Sequence, residues 1–459
     1  MLFSSTTFLF LFFPMLFLLY YSPLCKKREW KNYLLLIASL GFYAWGEPVF
    51  VFLLIISIIL TWYLGKKIGD SKSKKLMIVA TVYHVSILFA FKYLSFLSQQ
   101  LGLLLNRKID IAIKLPIGIS FFTFQLMSYV FDVYYGKVKA QKNLLYLGLY
   151  VSFFPQLIAG PIVRYSDIED QIEHRIESKG DVAEGLRRFI YGLGKKLLIA
   201  DYMAIIVDYA FNRIGTMSVG MAWFGAIAYS LQIYFDFSGY SDMAIGLGKI
   251  FGFSFNENFN YPYISKSITE FWKRWHISLS TWFRDYVYIP LGGNRVSKAK
   301  WIRNIFIVWL LTGIWHGANW TFLLWGLIYF AFLMFEKLSN IDQRIGRFSY
   351  IGTAFVVIIN WVIFRADNVS QAWSYIKNMF GFNASNSIID SGLIEMMCNT
   401  GILFLAAVIG ATPVVKKGFD FLGRKKFGWI EDIWLVIVFF VALINAVAAT
   451  YTPFIYFNF

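Results

Sequence analysis

Twelve apolar stretches recur along this chain, roughly at 5–21, 33–46, 49–64, 76–93, 115–135, 144–160, 190–212, 219–250, 303–335, 351–366, 400–414 and 432–451. A helix needs about 20 mostly apolar residues to cross the hydrocarbon core of a bilayer, and it must satisfy its backbone polar groups internally. A chain built this way is an all-α, polytopic integral membrane protein. Some stretches are too short to cross and others are long enough to hold two passes, so about ten to twelve membrane segments are expected. Only 15% of the 459 residues are charged, against roughly 25% in an ordinary soluble domain. The opening MLFSSTTFLFLFFPMLFLLYY lacks the basic start and small-residue cleavage site of a signal peptide and reads as a retained first helix. With no internal repeat and no low-complexity linker, residues 1–459 read as a single domain.

The net charge is +16, but the bases sit in short loops between apolar stretches, as the positive-inside effect requires; no nucleic-acid partner is implied. Lys26, Lys27, Arg28 and Lys31 follow the first stretch, and Lys66, Lys67, Lys72, Lys74 and Lys75 follow the third. Placing both groups in the cytoplasm puts the N-terminus outside, and the basic loop at Lys416, Lys417, Arg424, Lys425 and Lys426 then places the C-terminus outside too. Residues 161–190, with Arg164, Arg175, Arg187 and Arg188, break the alternation. Either one apolar stretch is re-entrant or these residues form surface helices, and non-helical backbone at membrane depth must be covered by protein or line a wet cavity. The two cysteines, Cys25 and Cys398, form no CxxC, and no two of the four histidines stand at i, i+4, so no metal site is expected.

Two of those histidines keep unusual company. In ITEFWKRWHISLSTWFRD (268–285) aromatic residues recur at three- and four-residue spacing, the pattern of one amphipathic helix lying at an interface. Lys273, His276, Ser280 and Arg284 share a second face of that helix. It reads either as a Trp-anchored surface helix or as a cationic face for a phosphate-bearing donor such as coenzyme A. In WLLTGIWHGANWTFLLWG (309–326) His316 lies inside a strongly apolar stretch, where an ionisable group is a functional candidate by default; an uncharged imidazole there can accept a proton. The open counterpart is a histidine hydrogen-bonded across helices. Gln232, Asp236 and Asp242 also fall in apolar surroundings in LQIYFDFSGYSDMAIG, and the two carboxylates need partners at that depth. No GxSxG elbow and no Walker loop is present.

These segments resemble the membrane-bound O-acyltransferase (MBOAT) superfamily, and most closely its bacterial alginate O-acetyltransferase branch. The resemblance rests on ITEFWKRWHISLSTWFRDYVYIPLGGNR (268–295) and WLLTGIWHGANWTFLLWG (309–326). FKYLSF (91–96), LPIGISFFTFQ (115–125), GPIVR (160–164), YGLGKKLLIAD (191–201), IYFDFSGYSDMAIGLG (233–248) and WVIFRA (361–366) support it in order. It implies an MBOAT fold with re-entrant and interfacial helices around a tunnel, His316 as the catalytic histidine and His276 as the second signature position. Lys273, Ser280 and Arg284 become donor-binding candidates; Trp315, Asn319, Asp236 and Gln232 become tunnel-lining candidates. It also implies a bacterial cytoplasmic membrane, acetyl-CoA or another acyl thioester as donor substrate without a bound cofactor, an extracytoplasmic polysaccharide as acceptor, and an SGNH-hydrolase-like partner outside that finishes the transfer. The aromatic tail PFIYFNF (453–459) resembles a motif of the same branch. With the tail outside, Tyr456 becomes a candidate acyl relay, the alternative being an interfacial aromatic anchor. D-alanyl transfer to teichoic acid is the nearest rival function, and a transporter or channel using Asp236 and Asp242 the rival from another class.

Overall fold

The computed structural model describes residues 1–459 except 110, 340–345, 347–348, 383–386, 426, 449–453 and 456–459. The described residues are helical, with no strand among them. They pack as two compact units, 1–189 with 240–257, and 190–239 with 258–459.

Five described helices are long and apolar enough to cross a membrane: Phe50–Ser71 and Lys74–Leu104 in the first unit, and Trp320–Ser339, Ser391–Gly410 and Trp429–Ala448 in the second. Phe8–Tyr21 and Ser349–Arg365 are shorter apolar helices. The outward faces of the spans are themselves apolar. Ile433, Val436, Ile437, Phe440 and Ile444 are all at least half exposed on Trp429–Ala448, a surface stable against lipid but not against water. The chain is a multi-pass membrane protein.

In the first unit, the stretch expected at 144–160 is broken into α1 (Leu144–Ser152) and α2 (Phe154–Leu157). Nine residues of helix rise only about 14 Å, too little to cross. Residues 151–163 are nevertheless all buried, so this irregular backbone is covered by protein, as membrane depth requires. The charged region that follows forms α3 (Tyr165–His174) and α4 (Lys179–Gly194). Between them a polar clamp closes on Arg175. Its buried guanidinium donates to the Phe251 carbonyl (3.0 Å), Asn32 Oδ1 (2.7 Å) and the Ile172 carbonyl (3.0 Å) and lies 4.3 Å from the centre of the Phe253 ring. Glu177 accepts from Tyr20 and Arg28 at 2.6 Å each. In the same unit Asp242 pairs with Arg188 at 2.6 Å, and Arg188 is also bound by Glu257 at 2.6 Å.

Stretch 219–250 is one helix, α5 (Val219–Ile250), whose first two-thirds belong to the second unit. Stretch 303–335 turns back on itself as α6 (Lys298–His316) and α7 (Trp320–Ser339). These two helices approach closely because glycines face them. A Cβ on Gly313 would stand 2.7 Å from the Phe322 carbonyl oxygen, and one on Gly326 2.7 Å from that of Trp309. Small residues that let backbones meet are the usual device where lipid supplies no hydrophobic drive between helices.

Two outcomes follow. Gly326→Ala forces a methyl against backbone that cannot swing aside; overpacking costs about 1–3 kcal/mol, so the melting temperature of the detergent-solubilised protein falls by several degrees, while Gly352→Ala, a helical position with open space around it, does not lower it. Burial alone would raise the Glu177 carboxyl, but hydrogen bonds from Arg28 and Tyr20 and the charges of Arg28 and Lys31 outweigh it and hold the group down at about 2. The folded value lies below the unfolded one, so this stabilisation is present above about pH 4.5 and is lost as pH falls towards about 2. Across that window, Glu177→Gln gives a shallower loss of melting temperature with acid than the wild type.

Candidate active site

Apart from Asp242, which lies in the first unit, the described candidate residues lie in the second unit. His316 is the last residue of α6 and is 3% exposed. Four rings surround its imidazole: Trp325 at 4.9 Å, Trp315 at 5.0 Å, Phe364 at 5.1 Å and Phe322 at 6.4 Å between centroids. Phe364 comes from α8 (Ser349–Arg365), the helix that carries WVIFRA. The turn after His316 is fixed by Asn319, whose Oδ1 accepts from the Thr321 amide (3.1 Å) at the start of α7 and whose Nδ2 donates to the Asp367 carbonyl (2.8 Å). Capping of this kind satisfies amides that have no partner within the helix. Asn319 thus sets the turn that aims His316.

The single helix expected over 268–285 is corrected. It is two short helices, Ile268–Arg274 and Ile277–Phe283, broken at Trp275 and His276. His276 adopts φ 45°, ψ 54°, a left-handed conformation that costs a side-chain-bearing residue roughly 1–2 kcal/mol. The cause is a loop that arrives from elsewhere in the chain. The Asn260 amide donates to the Arg274 carbonyl (2.9 Å) and the Ile277 amide donates to the Asn258 carbonyl (3.0 Å). Asn258 Oδ1 accepts from the Ser278 amide (3.2 Å) and hydroxyl (2.9 Å) and stands 3.1 Å from His276 Nδ1. At about 1 kcal/mol net each, these bonds offset the strained residue. The preceding helix is capped by Glu336, which accepts from the Ile268 (2.7 Å) and Thr269 (3.2 Å) amides, and by Ser267.

The break separates residues that one helix would have aligned. His276 turns inward, 1% exposed, and burial pushes its imidazole down to about 3, so it is neutral at ordinary pH. Lys273 and Arg284 stay exposed; Arg284 pairs with Asp285 at 2.7 Å. Ser280 donates to the Trp272 carbonyl at 3.2 Å. The two histidines meet on a shared ring: Trp315, 5% exposed, lies 6.0 Å from His276 and 5.0 Å from His316. The far side of His276 is closed by Phe237 at 4.7 Å. Phe237 belongs to α5, next to Asp236 and five residues beyond half-buried Gln232. The Asp236 carboxylate, 1% exposed, pairs with Lys196 at 2.7 Å and accepts the Ile455 amide at 2.8 Å. Tyr456 lies outside the described residues.

Asn258, Lys196 and Glu336 were not singled out from the sequence. Asn258 sits in FNENFNYP, where its role is set by a partner 18 residues away; Lys196 follows another lysine in a pattern that looks like a loop charge. The arrangement leaves two buried imidazoles walled by aromatic rings, a setting in which an uncharged imidazole can take a proton from a hydroxyl and return it to a leaving group.

The model of the MBOAT, membrane-bound O-acyltransferase family, matches residues 139–371, which include both histidine segments. A probable alginate O-acetylase AlgI of Pseudomonas aeruginosa is 44% identical over 395 residues, covering 83% of this chain and 75% of that protein. The same-named protein of Pseudomonas putida is 39% identical, with both chains covered in full. A peptidoglycan O-acetyltransferase of Helicobacter pylori is 32% identical over 100% of this chain and 98% of its own. On this family match and these similarities over most or all of the chain, it belongs to the membrane-bound O-acyltransferase family.

Proposed function

We propose that the protein transfers acetyl groups from a cytoplasmic thioester, acetyl-CoA in the first instance, across the bacterial cytoplasmic membrane for O-acetylation of an extracytoplasmic polysaccharide. The observation that carries this reading is the meeting of His316 and His276 on Trp315 inside a closed aromatic shell. His316 is the general base: it takes the proton of an attacking hydroxyl as the new C–O bond forms. As the C–S bond breaks, that proton passes to the departing thiolate, and free thiol and ester result. His276, neutral and held by Asn258, orients the donor carbonyl or donates to its developing oxyanion. Lys273, Ser280 and Arg284 are the donor-binding residues of this proposal. Exposed Lys273 and Arg284 suit a phosphate-bearing group.

The fold of the proposal is ten to twelve membrane segments in one domain around a tunnel lined in part by Trp315, Asn319, Asp236 and Gln232, with residues 1 and 459 outside. The buried irregular backbone at 151–163 supports a re-entrant piece, and a family match that spans parts of both units supports one domain. Tyr456 is the acyl relay: its phenol oxygen takes the acetyl group from the thioester and gives it to the acceptor hydroxyl, recovering its proton. An SGNH-hydrolase-like partner then finishes transfer to the polysaccharide. Relatives named O-acetylases that match most of the chain favour acetyl over D-alanyl. Asp242 and Asp236 are each paired with a base, which weakens the reading of the pair as an ion path.

Purified protein in detergent with labelled acetyl-CoA tests this. Wild type releases coenzyme A, and His316→Ala loses about 10²–10⁴-fold in turnover at unchanged melting temperature; near-normal turnover in His316→Ala would sink the assignment. Tyr456→Phe loses transfer to acceptor. Asn258→Ala, which removes the side-chain contacts to His276 and Ser278, lowers turnover by about tenfold or more while His316 stays in place, as measured by the same assay with the melting temperature read alongside.

A further inference from the structure

The α6–α7 hairpin carries a cavity of about 470 Å³ where α6 begins and α7 ends, lined by Tyr288, Asn294, Val296, Lys298, Trp301 and Lys337. All six belong to the second unit, and none is part of the enclosure around the histidines. The volume is that of a small-molecule pocket. One wall is a turn that only glycine makes easily. Gly292 and Gly293 adopt φ 102° and 56°, the left-handed region that strains a side chain, and a Cβ on Gly292 would stand 2.5 Å from Val296 Cγ1. The Gly293 amide donates to the Tyr288 carbonyl (2.8 Å), and buried Asn304 of α6 donates to the Leu291 and Gly293 carbonyls (3.1 Å each). These bonds pin the turn that carries Tyr288, Asn294 and Val296 to α6, so the cavity is built into the fold.

Its charge is one-sided. Arg295, Lys298, Lys300 and Arg303 crowd this end, and no acidic residue occurs from 286 to 335. Glu336, beside Lys337 in the chain, is bound instead to the Ile268 and Thr269 amides. Among the described residues neither Lys298 nor Lys337 has a carboxylate partner. Bases at the end of a span are what the positive-inside effect supplies, but that effect needs no cavity. Two ammonium groups lining one cavity repel each other, and an anion between them reverses the sign of that interaction. We propose that the cavity seats the headgroup phosphate of an anionic phospholipid of the cytoplasmic leaflet. Lys298 and Lys337 balance its charge, and the Asn294 amide donates to its oxygens. The rings of Tyr288 and Trp301 take the place that aromatic side chains hold at the membrane interface. Phe332, Phe335 and Leu338 are exposed on α7, an outward apolar face for the acyl tails. A basic pocket between membrane helices is a setting that anionic headgroups occupy. One lipid molecule satisfies both the basic cavity and the apolar face beside it; a free phosphate or a nucleotide satisfies only the first.

Thermal unfolding of the full protein in detergent, titrated with mixed micelles of phosphatidylglycerol or phosphatidylcholine at matched phosphate, tests the seat. Phosphatidylglycerol raises the melting temperature saturably, as a ligand of the native state does, and phosphatidylcholine does not. Lys298→Gln combined with Lys337→Gln weakens the apparent affinity for phosphatidylglycerol at least about tenfold. Both lysines are exposed, so without lipid this variant melts with the wild type. Lys74→Gln combined with Lys75→Gln, on a basic loop of the first unit, keeps the affinity, which separates the seat from a general attraction of bases to anionic lipid. An equal rise in wild type and the Lys298/Lys337 variant, or an equal loss in the Lys74/Lys75 variant, overturns the seat. A rise given by inorganic phosphate or by coenzyme A, and not by phosphatidylglycerol, overturns the lipid and gives the cavity to a free anion or to the nucleotide end of the donor.

Discussion

Asn258 makes the hydrogen bonds that a continuous helix through 268–283 would have made for itself. Its carbonyl takes the Ile277 amide, and its side chain takes Ser278 twice and meets His276 Nδ1. Without those bonds the sequence ITEFWKRWHISLSTWF has every reason to run on as one amphipathic helix, with the histidine on the same face as Lys273 and Arg284. With them, the histidine takes a left-handed conformation and turns into the protein, while the two bases remain outside. One loop amide thus separates an exposed cationic surface from a buried neutral imidazole.

The enclosure around the histidines is aromatic for a related reason. A buried polar group that lacks a partner costs more than a hydrogen bond returns, so imidazoles held this deep are best walled with side chains that ask for little. Trp315, Trp325, Phe322 and Phe364 surround His316. Each is large and limited to few rotamers, and the edge-to-face contacts of Trp325 and Phe364 with the imidazole fix its orientation. Charges are kept where they can be paired: Asp236 with Lys196, Asp242 with Arg188, Glu177 with Arg28. Close packing of α6 against α7 through Gly313 and Gly326 carries His316 into this shell, because a turn of only three residues separates the helices and Asn319 caps the second.

The sequence by itself determined the class of the protein. Apolar length, loop charge and the backbone's need for internal hydrogen bonds leave few alternatives to a helical membrane protein, and depth in an apolar stretch marks His316 without reference to any neighbour. The break at 219–250 or 303–335 was open from periodicity, and the structure makes the first one helix and the second two. Local signals could not place His276: helical periodicity over 268–285 is real, and it lost to Asn258, a residue ten positions outside that helix. Nor could they pair Asp236 with Lys196 and the Ile455 amide, since residues 196, 236 and 455 come together only when the chain is folded. Hydrophobic burial and backbone satisfaction are set by short-range composition and can be read in order along the chain; the direction of a strained residue and the partner of a buried charge are set by whatever the fold brings alongside, and only the tertiary structure decides them.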